Sequence, residues 1–146
     1  MRNKVVLITI LSALTVIGLT ACNTAKTALE DKEWVLASYG EQGDLQAVLA
    51  GTEITAMFDS AEEQVTGSAG CNSYSADYEV SGNKLSFSAI AATEMACGAP
   101  EGVMEQEREY LALLLDTTTF QVEDSLLTIS SSDGQVLFFG LVFGTE

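Results

Sequence analysis

The chain has 146 residues, 47% of them apolar, enough for one core-forming domain plus a short extra segment. Acidic residues outnumber basic ones 21 to 6, the formal charge is −15 and there is no histidine. That surface repels nucleic acid and anionic lipid headgroups, and the missing imidazole excludes Ser-His and Cys-His nucleophile pairs.

Arg2 and Lys4 give a positive start, an uncharged apolar run follows over 5–18, and Leu19, Thr20 and Ala21 lead into Cys22. This is the three-part layout of a secretory signal, and the run is short for a spanning helix, which needs about 20 residues. The last four residues resemble the lipobox of bacterial lipoproteins. That resemblance implies a diacylglyceryl group on Cys22, removal of residues 1–21, and anchoring of the lipidated chain to a membrane. Asn23, in place of Asp, points by the same resemblance to the outer membrane of a two-membrane cell. Without Arg2 and Lys4 the balance moves from −15 to −17. This suits a basic partner, a cationic ligand or plain solubility.

Residues 22–31 read as the lipidated N-terminus and a polar tether, and 32–146 as the domain. A first strand is expected over 33–39, with Trp34 and Leu36 on one face, and a loop over 40–51. Residues 53–59 alternate, placing Ile54, Ala56 and Phe58 together. After a turn at 60–63, a returning strand over 64–69 puts Val65, Gly67 and Ala69 on one side, small residues that suit close approach of another element. Tyr74, Ala76, Tyr78 and Val80 alternate with polar residues. Ser81, Gly82 and Asn83 make a turn, and Leu85, Phe87 and Ala89 alternate in the returning arm of this hairpin.

Pro100 suits the first turn of a helix. An amphipathic helix is expected over 102–116, with Val103, Met104, Tyr110, Leu111, Leu114 and Leu115 inward and Glu105, Gln106, Glu109 and Ala112 outward. Strands over 118–123 and 126–130 follow, and Asp133-Gly134 signals a last hairpin. Residues 136–143 are apolar on both faces, which predicts a strand covered on both sides. The whole reads as a mostly β, α+β domain: a strongly curved antiparallel sheet or open barrel of about seven to eight strands with one helix.

Once Cys22 carries lipid, two cysteines remain, and Cys71 and Cys97 bracket the central hairpin. A disulfide between them fits an oxidising compartment. Two free thiols or a metal site are the alternatives, although structural zinc normally takes four Cys or His ligands. Asn72 is either a turn residue tolerant of left-handed geometry or a ligand contact. Thr93 either ties down the approach to Cys97 or presents a reactive hydroxyl. Tyr74 and Tyr78, with Phe87, either line a groove or fill the core. The pairs Glu62-Glu63 and Glu123-Asp124 read as solvated turn carboxylates, since acid–base catalysis needs convergence in a cleft. No phosphate-loop or calcium-loop pattern appears.

Trp34 with Leu36, Gly70-Cys71-Asn72 before Tyr74, and Thr93, Met95, Ala96 and Cys97 before a helix resemble the META domain family, which includes HslJ-like heat-shock lipoproteins. The closing stretches 126–129 and 137–139 fit the same pattern. The resemblance spans roughly 32–143. It implies a mostly antiparallel β domain with one helix, often on an envelope lipoprotein linked to stress or drug tolerance. Some members look similar to secretin-pilot lipoproteins, which bind a partner segment or lipid in a groove. It supplies no catalytic residues.

The expectation is therefore a monomeric, lipid-anchored envelope protein that acts by binding and not as an enzyme. It contacts the membrane through its anchor and other envelope proteins through its surface, with no nucleic acid, no metal and no cofactor beyond the lipid on Cys22. The alternative is a carrier holding a small hydrophobic ligand or lipid in a barrel mouth.

Overall fold

A computed structural model describes residues 21–142. The expected signal segment, apart from Ala21, and Phe143 lie outside the described residues. Of the lipidation expected at Cys22, only the residue's place at the start of a helix falls within them.

The elements run α1 (Ala21–Leu29), β1 (Glu33–Glu41), β2 (Asp44–Ala47), β3 (Thr55–Asp59), β4 (Gln64–Ser68), β5 (Ser73–Ser81), β6 (Lys84–Ala92), α2 (Val103–Leu115), β7 (Thr117–Glu123), β8 (Leu126–Ser131) and β9 (Gln135–Leu141). All strand pairs are antiparallel, and β1 pairs with β9 from Trp34↔Leu141 to Glu41↔Gln135. That pairing closes an eight-stranded barrel. β2 is the ninth strand, a hairpin extension of β1 in what reads from sequence as a loop. Closure removes the exposed edges that an open sheet would carry.

Alternation puts Trp34, Leu36, Phe58, Val65, Tyr74, Tyr78, Leu85, Phe120, Leu127, Ile129, Leu137 and Phe139 inside one continuous core. Gly67 is where small size matters: a Cβ there would lie 2.0 Å from the Thr55 carbonyl oxygen. The barrel is thinnest between β6 and β7, joined by Lys84↔Thr119 and by the Phe120 N–H bonded to the Asn83 carbonyl at 2.9 Å.

Several details differ from the sequence reading. The expected tether forms α1, which lies against the barrel with Leu29 fully buried. Trp34 Nε1 donates to the Leu29 carbonyl at 2.9 Å, and Lys32 Nζ donates to that of Ala28 at 2.8 Å, so α1 is tied down at its last turn. Ala89 is exposed, not inward, because β6 bulges there and Ala89 takes φ 52°. Pro100 precedes α2 in a turn with a cis Ala99–Pro100 bond. The helix begins instead after Gly102, at φ 88°. α2 is also rotated about its axis relative to expectation. Val103, Gln106, Glu107, Tyr110 and Leu114 face inward, while Leu115 is 57% exposed. The helix crosses a barrel mouth where backbone groups need partners, so two polar side chains take inward positions. Finally, β9 is covered on both faces only at its start, where Val136 and Leu137 are both buried; beyond them Phe138 and Gly140 are half-exposed and Val142 is exposed.

Candidate binding surface

The Cys71–Cys97 disulfide is present, with the two Cα atoms 6.0 Å apart. It clips the start of β5 to the loop that leads into α2. Beside it Asn72, only 2% exposed, uses its whole side chain. Nδ2 donates to Glu107 Oε1 at 2.7 Å and to the Met95 carbonyl at 3.1 Å. Oδ1 accepts from Thr93 Oγ1 at 2.8 Å and from the Met95 N–H at 2.7 Å. The Asn72 backbone N–H donates to Glu107 Oε2 at 2.7 Å. One residue therefore joins β5, the loop and α2, and its hydrogen-bonding capacity is used up within the protein. Thr93 is exposed but serves the same junction.

Tyr74 and Tyr78 are core residues. The Tyr74 hydroxyl donates to the Thr55 carbonyl at 3.0 Å and accepts from the Tyr110 hydroxyl at 2.7 Å, with the two rings edge to face at 5.5 Å. At the α1 end, the Tyr78 hydroxyl donates to Glu30 Oε1 at 2.5 Å. Glu30 is itself buried, and Lys26 Nζ lies 3.6 Å from the same oxygen. Burial pushes all four tyrosine hydroxyls upward in pKa. It is aided by Glu30 at Tyr78 and by Glu109 at Tyr39, which is pushed up to about 12. A neutral phenol is favoured wherever the phenolate would lose its hydration.

Of the expected site residues, Asn72, Thr93 and the two cysteines come together, and Tyr74 packs one turn of α2 away from them through Tyr110. Tyr78 belongs to the opposite end. Tyr74 and Thr93 also line a shallow surface cleft of about 320 Å³ with Ser73, Ser75, Ala91 and Ala92, whereas Asn72 and Tyr78 are taken up by their internal partners. Sequence reasoning missed Glu107 as the partner of Asn72, although a signal existed: 103, 107, 110 and 114 follow helical spacing, so Glu107 shares a face with Val103, Tyr110 and Leu114. Glu30 carried no such signal, because its burial depends on a helix that the composition of 23–31 did not suggest.

Among the described residues, no buried side-chain nitrogen or oxygen lacks a partner, and no group of three or more Cys, Asp or Glu is placed to hold a metal. No described helix is long and apolar enough to cross a membrane. Two further surface clefts flank strands and helix away from that junction. One of about 740 Å³ lies at the β6–β7 seam, lined by Glu63, Glu79, Lys84, Ser86 and Thr117 among others. Another, of about 290 Å³, lies between Tyr39, Gln46 and Gln135 on one side and Glu109 and Asp116 of α2 on the other. Both open at the surface, outside the side chains that fill the barrel.

A closed antiparallel barrel with a filled interior and a disulfide-clipped helix across one mouth defines the class: a small β-barrel module of the binding type. The chain belongs to the META domain family, whose model matches residues 27–141. It is similar over 94% of its length, at 25% identity and TM-score 0.69, to the whole of a protein from Burkholderia xenovorans solved by NMR. A second NMR structure is 22% identical over 79% of this chain and 92% of that one, with TM-score 0.61. A DUF4847 family protein from Bacteroides vulgatus shares the fold at 10% identity and TM-score 0.59, over 79% of this chain and 95% of that one. No curated protein matches the chain. Family and barrel together support a binding-type, non-catalytic role.

Proposed function

We propose that this protein is a lipid-anchored envelope protein, held to the membrane through Cys22, that acts by contacting other envelope proteins in stress tolerance or assembly, without turning over a substrate. Three features support this reading. The 19–22 stretch resembles a lipobox. The Cys71–Cys97 disulfide suits a compartment outside the cytosol. The observation that carries it is the filled barrel: Trp34, Phe58, Tyr110 and Phe139 are each no more than 1% exposed at its centre, which leaves recognition to the outer surface. A carrier needs an apolar chamber. The larger cleft has Val80 and Leu85 in its lining but is open at the surface and bordered by two carboxylates, an ammonium group and several hydroxyls, so that reading stands second.

Crosslinking in intact cells followed by mass spectrometry tests the proposal. A reproducible envelope protein at short range, lost together with membrane association in Cys22→Ala, is the expected result. Retention of the Cys22→Ala protein on the membrane, or no reproducible neighbour, would overturn it.

A further inference from the structure

The outward side chains of this barrel are not alike all round. On β5 and β6 they include Asp77, Glu79, Ser86 and Ser88, a wet face of the usual kind. Across β8, β9, β1 and β3 the character changes. Register places Leu126 opposite Gly140, and Gly140 opposite Val35. The neighbouring row runs Thr128, Phe138, Ser38. At the α1 end, the Val142 N–H bonds the Glu33 carbonyl, and Glu33 is opposite Met57. Leu126 is 60%, Val142 43% and Met57 39% exposed. Leu126, Val142 and Met57, with the half-exposed Val35 and Phe138, form an apolar strip broken by Gly140, Thr128, Ser38 and Glu33. Three of the six exposed large apolar side chains among the described residues fall on this strip, Leu45, Met95 and Leu115 lying elsewhere, and such a cluster marks an interaction site.

Charge decides what covers it. Glu33 sits within the strip, and Glu123, opposite Leu126 on β7, sits at its margin. The four described basic residues are all elsewhere or engaged. Lys26 bonds Glu63 and lies beside Glu30, Lys32 caps α1 carbonyls, Lys84 is at the β6–β7 seam, and Arg108 pairs with Glu105 on α2. A second copy would set Glu33 and Glu123 against another strongly acidic chain, −15 in full and −17 without Arg2 and Lys4. An anionic bilayer meets the same repulsion.

We propose that the outer face of β8, β9, β1 and β3 is the docking surface for a protein segment with apolar residues at its centre and lysine or arginine on its flanks. This rests on the reading of the protein as a binding module and names the surface and the partner chemistry. The strip supplies the buried contact, and Glu33 and Glu123 fix orientation and speed encounter.

The probe is a short synthetic peptide of leucine, valine and phenylalanine between paired lysines, with an aspartate-flanked analogue as control. It is titrated into the isotopically labelled mature chain and followed by amide chemical shifts. Shifts confined to the strands bearing Val35, Leu126, Phe138 and Val142 are expected. Affinity should fall roughly 3- to 10-fold in the Glu33→Gln/Glu123→Gln double variant, as for exposed ion pairs, and further in Leu126→Ser. Because Leu126 and both glutamates lie at the surface, these variants fold. Shifts on another face, equal binding of the aspartate analogue, or no shifts would overturn the proposal. So would self-association or binding to zwitterionic vesicles that Leu126→Ser abolishes, each assigning the strip to a different occupant. In-cell crosslinks that map to α2 or to the Cys97 loop would overturn this surface while leaving the binding function intact.

Discussion

Asn72 carries more of the architecture than its size suggests. Its amide donates to Glu107 and accepts from Thr93 and Met95 at the same point. An Asp keeps the shape but turns the donor facing Glu107 into a second carboxylate. Asn72→Ala should destabilise the protein by about 3 kcal/mol, through the buried partners it leaves unsatisfied, and Asn72→Asp by at least as much at neutral pH. Denaturant unfolding of both variants with the disulfide intact is the measurement, and an effect under about 1 kcal/mol, the level of a typical hydrogen bond, would show that the network is not the junction described. The sequence offered Asn72 as turn residue or ligand contact. The turn reading captured its place in the chain, but no local pattern could reveal a carboxylate arriving from 35 positions away.

Among the elements, α1 is where sequence and structure part most. Its alanines, Lys26 and Leu29 favour a helix, but one of nine residues is marginal alone in water. It persists because Leu29 enters the core, Trp34 and Lys32 bond its last carbonyls, and Glu30 just beyond it accepts from Tyr78. Leu29→Ala should cost about 3 kcal/mol, within the range for a buried leucine. The fluorescence of Trp34, the single tryptophan, should move toward that of a hydrated indole before global unfolding. Unchanged stability and emission would mean that α1 is an appendage. The β5–β6 hairpin was legible for the opposite reason: alternation and a glycine turn are local signals, and both arms extend as read until the bulge at Ala89, which pairing geometry imposes.

At the scale of the molecule, two helices close the two ends of one barrel, and the four tyrosines are distributed through that closed interior. Each has its folded pKa raised above the unfolded value of about 10, chiefly by burial. The stability this contributes is therefore fully present below about pH 10 and is lost as pH rises through the folded values, because the unfolded chain ionises first. Stability should be flat with respect to tyrosine ionisation up to about pH 9 and then fall. The tyrosinate absorbance should appear together with loss of circular dichroism, with Tyr39, at about 12, the first to ionise in the folded state. A tyrosinate band rising near pH 10 while the fold stays intact would contradict the closed core.

Periodicity alone settled which residues turn inward along most strands, and the sequence offered the Cys71–Cys97 crosslink beside free thiols and a metal site, a short list because few partners were available. The tertiary structure alone decided that the sheet closes, that α2 turns Gln106 and Glu107 inward, and that β9 is only partly covered on its outer face from Phe138 onward. Closure joins the first strand to the last, and the inward face of a helix depends on which backbone groups wait at the mouth it crosses. Whether an apolar strand is covered depends on how many layers the fold supplies, and this barrel supplies one.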